Sequence, residues 1–393
     1  MSLSRRAFVQ TVGLGGVGLL SSEVIAARGR EAFAGLDAGA IDAVLQSTSK
    51  RDLIKLNANE NPYGPGQSAL DAARGALGPI SGRYPANGAT LAGAVARHFS
   101  VEPANVLVGT GSGEVIQAAV TAFTSPTRHL VVASPTWEDP GRTAQRLKHP
   151  VKIVPVDAAL KMDLTAMAAA AKGAGLVFLC NPNNPTGTVH SIANVTKFVE
   201  QVLASSPDTT ILLDEAYYDF VVDPSYATAV PLAIKYPRVF VTRTFSKVHG
   251  MAGLRVGYAI GHPDTLKAIA PHKTGSPNVV SLAAAAASIQ DSAHIAKQRD
   301  QIRTSLEATV RTFADLGCKA SDSQGNFILV DVKRPAKEFR DACEKMGVAI
   351  GRDFPPLTNY ARITIGTADE MRVANEVFKK VLSTARATTA SRV

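Results

Sequence analysis

The stretch "RVFVTRTFSKVHGMAGLRVGY" (residues 238–258) places a single lysine after an apolar segment, among small and hydroxyl-bearing residues. The run "RVFV" (238–241) predicts a buried strand, and Lys247 follows the end of that strand. Burial lowers the proton affinity of an amine, because the charged form loses its hydration. We therefore expect Lys247 to be nucleophilic at neutral pH and able to form a Schiff base with an aldehyde.

Short apolar runs of this kind recur along the chain, separated by alanine-rich stretches that are long enough for helices. The runs are "VLVGTG" (106–111), "HLVVASP" (129–135), "VKIVPV" (151–156), "LVFLCNP" (176–182), "ILLDEAY" (211–217), "RVFVTRT" (238–244) and "VGYAIG" (256–261). Near-continuous apolar strands that alternate with helices are typical of a parallel sheet covered on both faces. The sequence thus predicts an α/β fold with a mostly parallel seven-stranded sheet.

The pattern changes after the last of these runs, where a long polar helix precedes only two further apolar runs. We expect a large domain over residues 76–290 and a smaller α+β domain over residues 291–393. The extended segment "DLIKLNANENPYGP" (52–65) is rich in Asn and Pro and belongs to an arm, residues 35–75, that is predicted to join the small domain.

The N-terminus carries a paired Arg5-Arg6, followed by a weakly apolar, glycine-rich run, "TVGLGGVGLL" (11–20). The run is too short to span a bilayer and has the layout of a signal peptide. We expect residues 1–34 to form a twin-arginine-type export signal, so that the mature protein is periplasmic and not held in a membrane. The alternative is a plain N-terminal arm with a chance pair of arginines, which would leave the protein in the cytoplasm.

The composition of the 393-residue chain argues against several other classes of protein. Its three cysteines lie far apart without a C-x-x-C pair, so neither a disulfide framework nor a metal site is expected. The formal net charge of +9 comes from scattered basic residues without interleaved aromatic residues. This pattern argues against nucleic-acid binding. It suits a site for anionic small molecules, although a basic surface without a specific role explains the overall charge more simply.

Polar residues follow the ends of the predicted strands, which is where a parallel sheet binds its ligands. Gly111, Ser112 and Gly113 follow one strand and begin a helix. Backbone N–H groups at such a turn can cradle a phosphate, although glycines there often serve the turn geometry alone. Trp137, the only tryptophan, follows another strand and can either stack on a flat ring or anchor the core.

Two further strand ends carry an amide and a carboxylate. Asn184 lies in the turn "NPNNPTGT" (181–188), which either aims this amide at a ligand or is rigid for structural reasons only. Asp214 ends an apolar strand, with Tyr217 three residues later. A buried carboxylate is costly unless it meets strong donors or a cation, such as a pyridinium nitrogen.

These groups together suit one molecule. An amine, an acid for a ring nitrogen, a phenol and an amide for a ring oxygen, a stacking ring and a phosphate cradle are what pyridoxal 5′-phosphate requires. Residues near the lysine extend the cradle: Thr244, Ser246 and Arg255.

The motifs of the chain resemble those of the fold-type I aminotransferases (class I/II), most closely the histidinol-phosphate aminotransferase branch. The resemblance covers roughly residues 52–380. It is carried by "LNANENPYGP" (56–65), "RYP" (83–85), "NPNNPTG" (181–187), "DEAY" (214–217), "TFSK…GLRVGY" (244–258) and "RITIGT" (362–367).

The resemblance implies a role for each candidate residue. Lys247 would form the Schiff base and move the proton at the substrate Cα, while Asp214 would keep the ring nitrogen protonated. Tyr217 and Asn184 would contact the ring hydroxyl. Tyr84 would reach the phosphate from a neighbouring subunit, which implies a homodimer with shared active sites. The phosphate would otherwise be held within one chain by Gly111, Ser112, Gly113, Thr244, Ser246 and Arg255.

Four residues are candidates for substrate binding. Arg362 would clamp the anionic group of the substrate, and a guanidinium suits a carboxylate or a phosphate equally. Arg352 provides a second anion contact or is an exposed surface arginine. Tyr63 and Asn59, from the N-terminal arm, would close over the substrate.

The expected function is a pyridoxal-phosphate aminotransferase, which moves an amino group from an amino acid or a histidinol-phosphate-like donor to a 2-oxo acid. The alternative is a pyridoxal-phosphate lyase, such as a relative of threonine-phosphate decarboxylase, or a cyclase, because these enzymes share nearly all cofactor contacts. The predicted export signal argues against histidinol phosphate itself, whose biosynthesis is cytoplasmic. A cofactor-binding sensor would normally carry a DNA-binding domain, which the N-terminal sequence does not resemble.

Overall fold

The computed structural model describes residues 53–85 and 88–390, with the backbone alone for residues 384–390. The predicted export signal, residues 1–34, lies outside these described residues, as does most of the predicted arm up to residue 52. None of the described helices is both long enough and apolar enough to cross a membrane. Within the same ranges, no group of three or more His, Cys, Asp or Glu residues is arranged to hold a metal ion.

A seven-stranded sheet forms the centre of the fold. Its strands are β2 (Val106–Gly109), β3 (Leu130–Ser134), β4 (Val151–Pro155), β5 (Leu176–Cys180), β6 (Thr210–Asp214), β7 (Val239–Thr244) and β8 (Gly257–Gly261). Across the sheet they lie in the order β2-β8-β7-β6-β5-β3-β4. Strand β8 runs antiparallel to both of its neighbours, and the paired strands from β7 to β4 run parallel. The mostly parallel α/β sheet predicted from the apolar runs is therefore confirmed.

Helices follow most of these strands and cover the sheet. The α-helices described between residues 53 and 290 are α1 (Gln67–Ala76), α2 (Ala89–Phe99), α3 (Ser112–Phe123), α4 (Asp139–Arg146), α5 (Leu164–Ala170), α6 (Ile192–Ser205), α7 (Val230–Lys235), α8 (Pro263–Ile269) and α9 (Val279–Ser288).

Successive residues of each central strand belong to different apolar cores, because side chains alternate between the two faces of a sheet. In β5, Val177 and Leu179 pack into one core, whereas Leu176 and Phe178 pack into the other. Both faces of the sheet are therefore buried, which explains why the strands read as continuous apolar runs.

The C-terminal part of the chain has a core of its own. Strands β9 (Phe327–Asp331) and β11 (Tyr360–Thr364) pair antiparallel, and β1 (Ile54–Leu56) pairs parallel with β10 (Val348–Ile350). Three phenylalanine rings, Phe313, Phe339 and Phe378, pack against one another with centroids 5.3–6.3 Å apart. They lie on α10 (Ser292–Asp315), α11 (Ala336–Lys345) and α12 (Ala368–Ala390). The domain boundaries at residues 75 and 290 remain a prediction.

The sheet register brings three polar strand ends side by side. Cys180 of β5 is the register partner of Asp214 in β6, and Asp214 is the partner of Thr242 in β7. The turn between β2 and α3 lies against the start of β8, and β11 approaches from the C-terminal core. The candidate site is built where these segments meet.

Candidate active site at the strand ends

A cleft of about 710 Å³ lies beyond these strand ends. Most of the residues predicted from the sequence line it: Asn59, Ser112, Gly113, Trp137, Asn184, Asp214, Tyr217, Thr244, Ser246, Lys247, Arg255, Arg352 and Arg362. Gly111 lies immediately before the helix that presents Ser112 and Gly113. Residues from strands that are far apart in the sequence thus meet in one cavity.

Lys247 is partly buried in the cleft, and its Nζ donates to the backbone carbonyl of Asn59 at 3.0 Å. Burial, together with the positive charge of Arg362, lowers the pKa of Lys247 from 10.5 to about 8. At pH 7 roughly a tenth of such amines are neutral, compared with well under a thousandth at the ordinary pKa. This lowered pKa is consistent with the nucleophilic amine predicted for Lys247, whose reactivity remains a prediction.

Asp214 is buried, with 3% of its surface exposed, and has weak hydrogen-bonding support. Its Oδ1 accepts from the Thr242 hydroxyl at 2.9 Å, and the Cys180 thiol lies 3.8 Å from Oδ2. Burial raises the pKa of Asp214 from 3.8 to about 6, because the hydrogen bond from Thr242, the Cys180 thiol and the charge of Lys247 offset only part of the lost hydration. A protonated ring nitrogen in the cleft would supply an ion-pair partner for this carboxylate.

Thr242 and Cys180 were not predicted as site residues. Each lies opposite Asp214 in a neighbouring strand, and only the sheet register shows this. Their positions at the ends of apolar runs were the only signal in the sequence.

Tyr217 and Asn59 form the next part of the cleft. Asn59 Nδ2 donates to the Tyr217 hydroxyl oxygen at 3.1 Å, and burial raises the pKa of this phenol. The backbone of Asn59 is left-handed, with φ of 53°, a conformation that asparagine tolerates better than most residues. The Thr364 hydroxyl holds Asn59 in this conformation, because it accepts from the Asn59 backbone N–H and donates to Asn59 Oδ1.

The turn between β2 and α3 forms an anion cradle. Gly111 has φ of 79°, and a Cβ there would come within 2.5 Å of Arg255 Nη2. A Cβ on Gly257 would collide with the backbone nitrogen of Ser112. Only glycine leaves these N–H groups and the guanidinium accessible together, at the positive end of a helix.

Hydroxyl groups from the loop after β7 complete the cradle. The Thr244 hydroxyl donates to Ser246 Oγ at 2.9 Å, and Arg255 Nη1 donates to the same oxygen at 3.3 Å. Hydroxyls, backbone N–H groups and one guanidinium are the donor set that binds a phosphate.

Trp137 and Asn184 come from segments that are far apart in the sequence, and both line the cavity. The indole packs against Phe178 with centroids 6.3 Å apart, and a Cβ on Gly113 would lie 3.6 Å from the indole. Asn184 Oδ1 accepts from Arg362 Nη1 at 2.8 Å. The side-chain amide is therefore oriented by the same arginine that was predicted to clamp the substrate.

Arg362 is buried, and its Nη2 donates to the carbonyl of Asn57 at 2.6 Å. Its Nε is buried without a hydrogen-bond partner among the described residues. Burial lowers the pKa of Arg362 to about 10, so it still carries its charge at neutral pH. An unpaired buried N–H on a cation is a favourable contact for a bound anion.

Arg352 lies at the mouth of the cleft and is held by two groups of its own chain. Its Nη2 forms an ion pair with Glu138 Oε1 at 2.7 Å, and its Nη1 donates to the carbonyl of Asp353 at 2.9 Å. Glu138 also pairs with Arg142. Glu138 and Arg142 were not predicted as site residues, and the charged segment directly after Trp137 was the only signal for them in the sequence.

Two predicted residues lie outside this cleft. The Tyr63 hydroxyl accepts from the backbone N–H of Ala368 at 3.2 Å, and its ring packs against the C-terminal core. The Tyr84 side chain is fully exposed. Its predicted contact with a phosphate requires a second copy of the chain and remains a prediction.

The cleft combines the features needed for a cofactor with an aldehyde, a ring nitrogen and a phosphate. Three features fit the three ends of pyridoxal 5′-phosphate. They are the anion cradle at Gly111 and Gly257, the buried Asp214 without an ion-pair partner among the described residues, and the Lys247 amine with its lowered pKa.

Known proteins are similar to this chain in sequence and in fold. The family model "aminotransferase class I and II" matches residues 51–378. The histidinol-phosphate aminotransferase of Symbiobacterium thermophilum is 37% identical over 350 residues, which are 87% of this chain and 94% of that protein. The histidinol-phosphate aminotransferase of Moorella thermoacetica is 34% identical over 352 residues, with 87% of this chain and 88% of that protein covered.

A solved structure is similar over nearly the same range. The crystal structure of histidinol-phosphate aminotransferase from Sinorhizobium meliloti in complex with pyridoxal 5′-phosphate has a TM-score of 0.78 and 26% identity. The similarity covers 90% of this chain and 97% of that chain.

Proposed function

Since this chain belongs to the class I and II aminotransferase family, we propose that its cleft transfers an amino group from an amino acid or a histidinol-phosphate-like donor to a 2-oxo acid, with Lys247 as the central residue. The chain is a transaminase, and pyridoxal 5′-phosphate is its cofactor. The observation that carries the proposal is the Lys247 amine, whose pKa is lowered to about 8, in one cavity with the buried Asp214.

When bound, pyridoxal 5′-phosphate supplies an aldehyde that reacts with amines and a ring that withdraws electrons from the donor Cα. The cradle formed by Ser112, Gly113 and Arg255 would hold its phosphate. Asp214 would face its ring nitrogen, and Trp137 its ring. These assignments are supported by the shared cavity and by the donor sets described above.

Lys247 provides the base. Its neutral amine would accept the proton from the donor Cα, and the resulting ammonium would return it to the carbon of the cofactor aldehyde, C4′. The carbonyl of Asn59 holds Nζ at 3.0 Å, and the Tyr217 ring centroid lies 5.6 Å away. Burial keeps the neutral form accessible near neutral pH, so the same side chain can act as base and then as acid.

Asp214 and Tyr217 adjust the charge around the cofactor. The Asp214 carboxylate would keep a proton on a ring nitrogen, because the ion pair would replace the hydration that burial removed. The Tyr217 hydroxyl, which accepts from Asn59, would be free to donate to a ring oxygen. Arg362, whose Nε has no partner among the described residues, would bind the anionic group of the donor.

An amino-transfer assay tests the proposal. The holoprotein is given histidinol phosphate and aromatic or aliphatic amino acids in turn, with pyruvate or 2-oxoglutarate as acceptor. We expect one donor class to yield equal amounts of oxo product and newly formed amino acid, and the Lys247→Ala variant to yield neither. Release of carbon dioxide without any acceptor would instead support the lyase alternative.

We also propose that residues 1–34 direct export by the twin-arginine route, which makes the mature enzyme periplasmic. The support is the Arg5-Arg6 pair and the apolar run after it. A fusion of these residues to a folded reporter should reach the periplasm, and the Arg5→Lys/Arg6→Lys double variant should remain in the cytoplasm. Equal export of both would contradict the proposal.

A homodimer with shared active sites is proposed as the working assembly. Its support is an exposed segment that carries Leu77, Ile80 and Tyr84, with Tyr84 fully exposed. Sedimentation should give twice the chain mass, and Tyr84→Phe should weaken cofactor binding. A monomer with full activity would contradict it.

A further inference from the structure

At the mouth of the cleft, the Glu138 carboxylate lies between two guanidinium groups, those of Arg142 and Arg352. Glu138 Oε1 lies 2.7 Å from Arg352 Nη2, while its Oε2 pairs with Arg142. The three side chains line the same cavity as Lys247. Glu138 is therefore an anion belonging to the chain itself, located where a substrate anion could bind.

Arg352 is the second guanidinium of the substrate end. The Phe354 ring lies between it and Arg362, with its centroid 4.3 Å from Arg352 Cζ and 5.0 Å from Arg362 Cζ. The two arginines differ in the charge of their partners. Arg362 donates to two neutral oxygens, those of Asn184 and Asn57, and its buried Nε has no partner among the described residues. Arg352 is instead paired with a carboxylate of the chain, Glu138.

We propose that Glu138 determines specificity: by occupying Arg352, it makes the cleft select substrates with one anionic group, held at Arg362, over dicarboxylates. This inference rests on the proposed function, in which the amino donor and the 2-oxo acid use the same cleft. It names the substrate class: monocarboxylate amino acids or other donors with one anionic group, together with monocarboxylate 2-oxo acids.

The selection follows from charge. A second carboxylate that enters the cleft must displace Glu138 from Arg352 and then lie close to that displaced like charge. The Glu138 side chain is 35% exposed and that of Arg352 is 47% exposed, so solvent screens part of the repulsion. We therefore expect a discrimination of about tenfold rather than exclusion.

The test uses two unreactive ligands of similar length, 3-phenylpropionate with one carboxylate and glutarate with two. Their dissociation constants for the holoprotein are measured by titration calorimetry. We expect wild type to bind 3-phenylpropionate more tightly than glutarate. Glu138→Gln should tighten glutarate binding about tenfold and change 3-phenylpropionate binding by less than about twofold.

Asp139→Asn is the matched control. It removes the same charge from the next residue, which also lines the cleft but accepts from Gln117 Nε2 at 2.6 Å. The ligand ratio should stay at the wild-type value in this variant. In the Glu138→Gln/Arg352→Ala double variant, the tighter binding of glutarate should be lost, because the guanidinium that would bind its second carboxylate is gone.

Three results would overturn the inference: tighter binding of glutarate than of 3-phenylpropionate by wild type, no change of the ratio in Glu138→Gln, or no binding of either ligand. The proposed function fails separately. Absence of amino transfer with a shifted ligand ratio would refute transamination but leave the role of Glu138 intact.

Discussion

Asp214 and Glu215 are consecutive buried acids with opposite surroundings. Glu215 Oε2 accepts from Arg243 at 2.7 and 3.0 Å, and its Oε1 accepts from the backbone of Ala229. Asp214 lines the cleft, where its side-chain hydrogen-bond partners among the described residues are the Thr242 hydroxyl and the Cys180 thiol. Glu215 thus has a complete ion pair, whereas Asp214 has no ion-pair partner within the described part of the chain.

This difference separates structure from function. A buried acid with its own arginine has its charge compensated within the fold, so its loss should affect folding. A buried acid without one is kept at a cost to stability, which is typical of a site that awaits a ligand. The predictions below test this contrast from the largest expected effect to the smallest.

Replacement of the cleft amine should have the largest effect. In Lys247→Ala, turnover should fall by at least about 10³-fold, because both the base and the group that reacts with an aldehyde are lost. The visible absorbance band of the wild-type holoprotein should disappear, with the melting temperature nearly unchanged. A variant that stays yellow and active would show that another residue carries the chemistry.

Asp214→Asn should lower turnover by about 10²–10³-fold while the protein still folds and binds cofactor. The variant keeps the size and hydrogen-bonding shape of the side chain but removes the negative charge that a ring nitrogen would meet. Steady-state kinetics together with cofactor titration measure the two effects separately. Undiminished turnover would mean that the missing cation is not part of the reaction.

Glu215→Gln should lower stability and leave turnover nearly unchanged, which is the opposite of the result expected for Asp214→Asn. It leaves the Arg243 guanidinium buried without its carboxylate, so the free energy of unfolding should fall by about 3–5 kcal/mol. Arg243 also stacks 3.5 Å over the Tyr218 ring, which preserves part of its environment. Urea unfolding measures the loss, and turnover per folded molecule should stay within a few-fold of wild type. A catalytic defect as large as that of Asp214→Asn would remove the distinction between the two acids.

The stability of cofactor-free protein should depend on pH through Asp214. Its pKa in the folded chain is about 6, against an ordinary 3.8, so the folded chain binds this proton more tightly than the unfolded chain. The free energy of unfolding should therefore rise as pH falls from about 6 to about 4, by about 2 kcal/mol from this group. Urea unfolding of wild type and Asp214→Asn at pH 4 and 7 isolates the contribution. Identical pH dependence in both proteins would contradict the raised pKa.

The positions of the cleft residues could be predicted from the sequence, but the residues that contact them could not. The apolar runs located the strands, and Asp214 at the end of one of them was expected to need a cation. The expectation that Lys247 is a buried amine came from the same pattern. These residues are recognisable because the strand that carries each one is local in sequence.

Contacts between distant segments were not predictable in this way. Thr242 and Cys180 reach Asp214 only through the sheet register, which one-residue shifts would change completely. Glu138 reaches Arg352 across more than two hundred positions of the chain. Tyr63 looked like a substrate contact in its motif, but its hydroxyl instead accepts from the N-terminal turn of α12.

The smallest expected effect comes from one hydroxyl on the cleft side. Thr242→Val keeps the shape of the side chain but removes the 2.9 Å hydrogen bond to Asp214 Oδ1. Since this bond favours the carboxylate, its loss should raise the pKa of Asp214 further and lower turnover about tenfold. Thr210→Val is the matched control, because the Thr210 hydroxyl is buried on β6 without a partner among the described residues. That variant should keep wild-type turnover and be at least as stable as wild type. Equal losses in both variants would mean that the Thr242 hydroxyl supports the strand in general and not the charge of Asp214.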